Sequence, residues 1–164
     1  MAHRNDWLRL DDARLLRACR EQRYRASGPG GQRRNKVETA LRLHHEPTGV
    51  TVQAQESRSL QENRVRALRR LRERIAAEVR APFALAAPDL PPEFLAQRRD
   101  GVLAVNARNP AYPVVVATAL DALEAAEGRY APAARALGIT TSRLMKFLRA
   151  DREVWRAVEQ LRGG

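Results

Sequence analysis

Residues 27–36 read Ser27-Gly28-Pro29-Gly30-Gly31-Gln32-Arg33-Arg34-Asn35-Lys36, a glycine-rich loop that runs into a basic segment. It carries no catalytic acid or base. Its glycines permit positive φ and close approach of bare backbone to a ligand, and Pro29 restricts the residue before it. Between Arg20 and Lys36 lie six cationic residues and one acid, Glu21. Such a loop suits an anionic partner whose reactive centre is approached by backbone N–H groups.

The flanks give the loop a setting. Asp11 or Asp12 can cap a short helix through Leu16, and Cys19 to Ser27 reads as a strand entering the loop. Arg34 to Ala40 fits a helix of about two turns, whose N-terminal N–H groups would add to the attraction for anions. A hairpin follows. Leu41, Leu43 and His45 alternate with Arg42, His44 and Glu46, Pro47-Thr48-Gly49 turns the chain, and Val50, Val52 and Ala54 alternate with Thr51, Gln53 and Gln55. His44 and His45 are adjacent, so they face opposite sides of a strand and cannot chelate one metal together. Ser59-Leu60-Gln61-Glu62 has the form of a capping box. It opens a long helix through about Arg80, with an apolar stripe at Leu68, Leu71, Ile75 and Val79. Arginines 64, 66, 69, 70, 72 and 74 fill much of the rest, as either a solvated face or an RNA-facing one.

Composition agrees with an anionic partner. The 164 residues carry a formal charge of +11, and Lys/Arg clusters bind phosphate backbones by releasing counterions. The excess is uneven, with 19 basic and 10 acidic residues over 1–82 against 11 and 9 over 83–164. The single cysteine, Cys19, excludes an internal disulfide and a cysteine zinc cage, fits a reducing cytosol, and reads as a small buried residue on a strand. Trp7 and Leu8, in a loose leader, would dock on the domain. No apolar run approaches the about 20 residues a membrane-spanning helix needs, so no membrane partner is expected.

Other phosphate motifs fail. A P-loop needs a lysine after its second glycine, and Arg33 stands where a dinucleotide fingerprint needs its third glycine. No triad or carboxylate pair is recommended by spacing. Ser27-Gly28-Pro29-Gly30-Gly31-Gln32, then Asn35-Lys36, the Pro47-Thr48-Gly49 hairpin, Arg58-Ser59 and Asn63 together resemble the peptidyl-tRNA hydrolase (GGQ) domain of class I peptide chain release factors. The resemblance covers roughly residues 11–80 and is nearest the short, codon-independent ribosome-rescue members.

The resemblance implies hydrolysis of the ester joining a nascent peptide to tRNA in the peptidyl-transferase centre, with large-subunit rRNA and peptidyl-tRNA as partners, a cytoplasmic setting and no cofactor or metal. Gly30, Gly31 and Gln32 take the catalytic positions. The backbone N–H of Gln32 would stabilise charge developing on oxygen, and its side chain would shape the space that admits water. In some family members this glutamine is methylated, which would make a glutamine methyltransferase acting on Gln32 a further partner. Lys36 and Arg58 match family motif positions for RNA contact, while Arg25, Arg33, Arg34 and Arg64 are added from charge and placement. Codon-recognising domains need far more chain than precedes this segment, so stop-codon reading is not expected. A non-hydrolytic ribosome- or rRNA-binding module is the alternative.

The expected fold class is α+β: a small catalytic domain with a mixed sheet and hairpin, a short helix after the loop and a long basic helix, followed by an all-α module. The expected division is a leader over 1–10, the hydrolase-like domain over 11–80, a proline-rich linker and irregular segment over 81–108, and a helical module over 109–164. Within 93–108 a short helix followed by a loop is expected. Helices are expected over 114–127, 132–137, 141–149 and 151–161. Ala133 to Leu144 looks like a helix-turn-helix with Gly138 in the turn and Thr140 or Thr141 as cap. Arg143, Lys146 and Arg149 leave a DNA-binding regulator as a third alternative, and packing around Leu137, Ile139, Leu144 and Leu148 explains the same pattern without DNA.

Overall fold

A computed structural model describes residues 3–25 and 38–163. The protein is α+β, with a three-stranded antiparallel sheet, a two-stranded hairpin and several helices, and it divides into two compact units. The first spans residues 6–75; the second joins residues 3–5 to residues 76–163.

In the first unit, α1 (Arg4–Arg9) ends beside α2 (Asp12–Arg17). The Asp11 carboxylate accepts the Arg14 N–H at 2.8 Å, satisfying one of the free donors at the start of α2. The strands β1 (Cys19–Tyr24), β2 (Ala40–His45) and β3 (Thr51–Ala54) lie in sequence order. The β1–β2 register runs from Cys19 opposite His45 to Tyr24 opposite Ala40, and in β2–β3 Leu41 faces Ala54 and Leu43 faces Val52. This register places the apolar members of the alternating pattern on one face, where Leu41, Leu43, Val52 and Ala54 are buried. The hairpin turn closes through the His45 N–H on Val50 O and the Gly49 N–H on His45 O, both 2.8 Å, with Gly49 at φ 73°. The helix α3 (Leu60–Glu78) buries Ala67, Leu68, Leu71 and Ile75.

Three expectations need correction here. The helix expected over Arg34 to Ala40 does not reach its end: Glu38 and Thr39 are irregular and Ala40 begins β2, fully buried opposite Tyr24. Residues 34–37 lie outside the described residues. Strand pairing and burial override the good helix propensity of alanine. The leader is helical in its described part, with Leu8 4% exposed and the Trp7 ring edge-on to His45 at 5.0 Å. Cys19 lies on β1 and is only half-buried.

The second unit is built on α5 (Tyr112–Ala125), whose residues 112–123 are all buried. A helix apolar on every side must be covered on every side, and α4 (Pro92–Gln97), α6 (Tyr130–Leu137) and α8 (Arg152–Gly163) pack against it. In turn α6 and α8 pack on α7 (Thr141–Arg149). Residues 80–91, with three prolines, form no helix or strand. After α4 the chain makes a minimal hairpin, β4 (Arg98–Arg99) and β5 (Val102–Leu103), rather than the expected loop. Two consecutive positive-φ residues, Asp100 and Gly101, make the reversal. Gly138 at φ 69° ends α6, and the Thr140 hydroxyl caps α7 by accepting the Arg143 N–H at 3.3 Å.

Inside this unit the Asp121 carboxylate of α5 gathers Arg4 on both oxygens at 2.7 Å, the Ala81 N–H at 3.0 Å and Arg80 at 3.3 Å. Arg4 and Asp121 are both about 95% buried. Such a pair is held by geometry and by additional hydrogen bonds rather than by charge alone. Arg4 supplies these by donating also to Val79 O and to Asn5 Oδ1. Burial is the main influence on the Arg80 guanidinium and pushes its pKa down, with Asp121 opposing it.

Candidate nucleic-acid interface

The catalytic candidates Gly30, Gly31 and Gln32 and the RNA-contact candidates Arg33, Arg34 and Lys36 lie outside the described residues. What the structure shows is the frame that holds the two ends of their segment. Residues 25–39 connect two adjacent antiparallel strands whose last pair is Tyr24–Ala40, so the segment leaves and rejoins the same end of the sheet.

Three connections reinforce that end. Asn63, fully buried in the first turn of α3, donates its side-chain amide to Thr39 O and to Ser57 O, each at 2.8 Å, and its Oδ1 accepts the Ser57 N–H at 2.9 Å. One amide therefore joins the return of the loop segment to the approach of the long helix. The capping box closes differently from its sequence form. Ser59 Oγ accepts the Glu62 N–H at 3.2 Å, while the Glu62 carboxylate takes the Ser57 hydroxyl and that hydroxyl accepts the Ser59 N–H at 3.0 Å.

The third connection is Arg64 with Glu21. Arg64 Nε donates to Oε2 at 2.9 Å and Nη2 to Oε1 at 3.0 Å, a two-pronged pairing from α3 to β1. Its Nη1 donates to Gln61. The Arg64 hydrogen bonds hold the Glu21 carboxyl below its ordinary range, with Arg23 adding to the effect against the cost of burial, and Glu21 in turn raises the guanidinium. Arg64, a candidate for phosphate contact, is thus committed to the lone acid of the Arg20–Lys36 segment, and a phosphate would have to compete for it.

Arg25 and Arg58 are the candidates left open. Both are exposed, and neither makes an ion pair with another described residue. Arg25 stands where the chain leaves β1 and Arg58 just before α3. On α3 itself the arginine-rich face is largely neutralised: Arg64 pairs with Glu21, Arg69 with Glu73, Arg70 with Glu56 and Arg72 with Asp12. The Glu56 carboxyl, hydrogen-bonded by Arg70, is brought down to about 2. Arg70 also donates to Gln53 O and Arg72 to Leu10 O, so both fix backbone as well as charge. Three of these four pairs join residues far apart in sequence, which a count of arginines along a helix could not show.

The two histidines separate as their adjacency requires. His44 meets Thr51 at 2.8 Å on the half-exposed face, and His45 is fully buried with Nδ1 at 2.7 Å from the Thr48 hydroxyl. Burial, with a smaller push from His44, lowers the His45 pKa, and its Nε2 has no hydrogen-bond partner among the described residues. No described group of three or more His, Cys, Asp or Glu could hold a metal. No described helix is long and apolar enough to cross a membrane.

Comparison with known proteins gives this frame a family. Residues 16–85 match the RF-1 domain. The chain is 49% identical over 61 residues to a peptide chain release factor 1 of Acidiphilium cryptum, a match covering 37% of this chain and 17% of that protein. It is 52% identical over 52 residues to a peptide chain release factor 2 of a Sulfurovum species, 32% of this chain and 14% of that protein. It is also 55% identical over 53 residues to a peptide chain release factor 1 of Streptococcus thermophilus, 32% of this chain and 15% of that protein. The chain thus spans about a sixth of the length of the curated relatives it matches. Residues 16–85 are a GGQ-containing domain of the class I release-factor kind, and the helical unit lies mostly beyond the match.

Proposed function

We propose, from the RF-1 domain carried by residues 16–85, that this protein is a ribosome-associated, codon-independent release factor that hydrolyses the peptidyl-tRNA ester on stalled ribosomes. The observation that supports it most directly is the frame around the GGQ segment. Tyr24–Ala40 pairing and the Asn63 amide hold both ends of a segment that contributes glycine backbone and one neutral amide. In this reaction water attacks the ester carbonyl, the C–O bond to the tRNA 3′ oxygen breaks, and the leaving oxygen takes a proton. Negative charge builds on oxygen in the transition state, so a backbone N–H fixed at Gln32 lowers the barrier without supplying a general base. Gly30 and Gly31 let that backbone enter a crowded RNA site, and rRNA and the tRNA carry the remaining chemistry.

In this reading Arg25, Arg58, Arg33, Arg34 and Lys36 contact RNA phosphates, while Arg64 acts mainly through Glu21. The catalytic domain occupies residues 11–80, and a helical module over 109–164 follows the linker. Codon independence rests on the likeness of the motifs to the short rescue members.

The test is release of labelled peptide from ribosomes stalled on an mRNA lacking a stop codon. Wild type should release it, and Gln32→Pro, which removes the backbone N–H, should lower the rate by about 10²–10³, the range for losing one preorganised oxyanion donor; Gln32→Ala keeps that N–H and should lose less. Release by wild type only when a stop codon fills the decoding site would refute codon independence. Equal release by wild type and Gln32→Pro, or by neither, would refute the hydrolase reading.

A further inference from the structure

Four of the six arginines on α3 are answered by acids, whereas no described acid pairs with Arg143 or Lys146 on α7. One side of α7 closes the core of the second unit through Leu144 and Leu148, both fully buried. The other presents Thr141, Ser142, Arg143, Lys146 and Arg149 to solvent, with no acid anywhere in Thr141–Arg149. Neither Arg143 nor Lys146 forms an ion pair with another described residue. The near-neutral total of residues 83–164 therefore conceals a local cationic face.

That face is rigidly presented. Gly138 and the Thr140 cap fix the start of α7, and the Arg149 guanidinium lies over the Trp155 ring at 4.9 Å, pinning the other end to α8. Arg143 and Lys146 are one turn apart, so they share a side of the helix. Lys and Arg beside Ser and Thr hydroxyls are the groups that contact phosphate oxygens. The exposed positions hold no Asn or Gln, the side chains that read adenine edges.

We propose that α7 is a docking face for double-stranded ribosomal RNA, held through phosphate contacts from Arg143 and Lys146. The choice of rRNA rests on the release-factor reading of residues 16–85. Arg and Lys can also read guanine, so duplex DNA is the competing partner that the test distinguishes. A helix that reads DNA enters the major groove and touches base edges, whereas the A-form major groove is too narrow to admit one, so RNA is met over its phosphates. In this way the helical unit adds affinity for the ribosome while taking no part in ester hydrolysis.

The test uses the full chain and measures binding to isolated large ribosomal subunits, to short random-sequence duplex RNA and to the matching duplex DNA over a range of salt. Two variants are compared with wild type, R143Q/K146Q and R143E/K146E, each checked for an unchanged thermal midpoint. Wild type should bind duplex RNA and subunits, R143Q/K146Q should bind at least about tenfold more weakly, and the salt slope should fall by about 2, one unit for each phosphate no longer neutralised. R143E/K146E should bind more weakly still. Failure of wild type to bind duplex RNA at low salt, R143Q/K146Q binding like wild type, or preference for duplex DNA would each overturn the proposal. Peptide release is not the readout, so failure of the hydrolase reading would appear as an inactive wild type while binding still decides this one.

Discussion

Asn63 donates its side-chain amide to the carbonyl of Thr39 at 2.8 Å, joining the start of the long helix to the point where the chain returns from the GGQ segment. The amide is fully buried, and all three of its described bonds go to backbone. Replacing it by alanine would leave two carbonyls and one N–H unpaired. We expect Asn63→Ala to destabilise the protein by about 2–4 kcal/mol, read from urea unfolding. Asn63→Asp should be no better, because a carboxylate would face the Thr39 and Ser57 carbonyls.

The Arg64–Glu21 pair should show in the acid stability of the protein. Its carboxyl titrates below the ordinary value of 4.5 in the folded state. The pair's contribution is therefore complete above the unfolded value and is lost as pH falls through the lower folded one. Glu21→Gln should cost about 1–2 kcal/mol at pH 7 and progressively less as pH falls through the folded value, which unfolding over an acid series will show. A cost that stays constant across the series would refute the pairing.

Asp121 is the sole described acid facing Arg4, and Arg80 is its second arginine. Asp121→Ala would leave buried guanidinium groups unpaired and remove the acceptor of the Ala81 N–H. We expect a loss of about 3–5 kcal/mol, measured by denaturant unfolding followed at Trp155. Arg4→Met, which removes a charge together with its burial cost, should lose less.

Cys19 should be inert in the folded protein. Burial, with Glu46 adding to it, pushes its thiol up to about 11, and the Sγ–H donates to Leu15 O at 3.3 Å. At pH 8 only about one molecule in a thousand would carry the thiolate. Labelling by a maleimide should be slow in buffer and fast in denaturant; rapid labelling of the native protein would contradict this environment.

The local rules of the chain are legible where neighbours in sequence are also neighbours in space. Alternation at Leu41, Leu43, Val52 and Ala54 specifies the hairpin, Thr140 the start of α7, Gly138 the end of α6 and Leu68, Leu71 and Ile75 the buried side of α3. Two signals are visible but unreadable alone. Glu21 stands out as one acid among six cations, and Asn63 belongs to the family pattern, yet their partners lie 43 and 24 residues away. Ala40 goes to a strand instead of a helix because its helix propensity is a property of the residue, while its place in β2 depends on pairing with Tyr24.

By itself, then, the sequence determined the chemistry on offer: a glycine backbone, a neutral amide and an excess of arginine, in a pattern whose spacing needs no folded structure to be recognised. Only the tertiary structure decided which arginines remain available. Ion pairing is a matter of distance in space, and folding brings Glu21, Glu56 and Asp12 to α3 while bringing no described acid to Arg143 and Lys146 on α7.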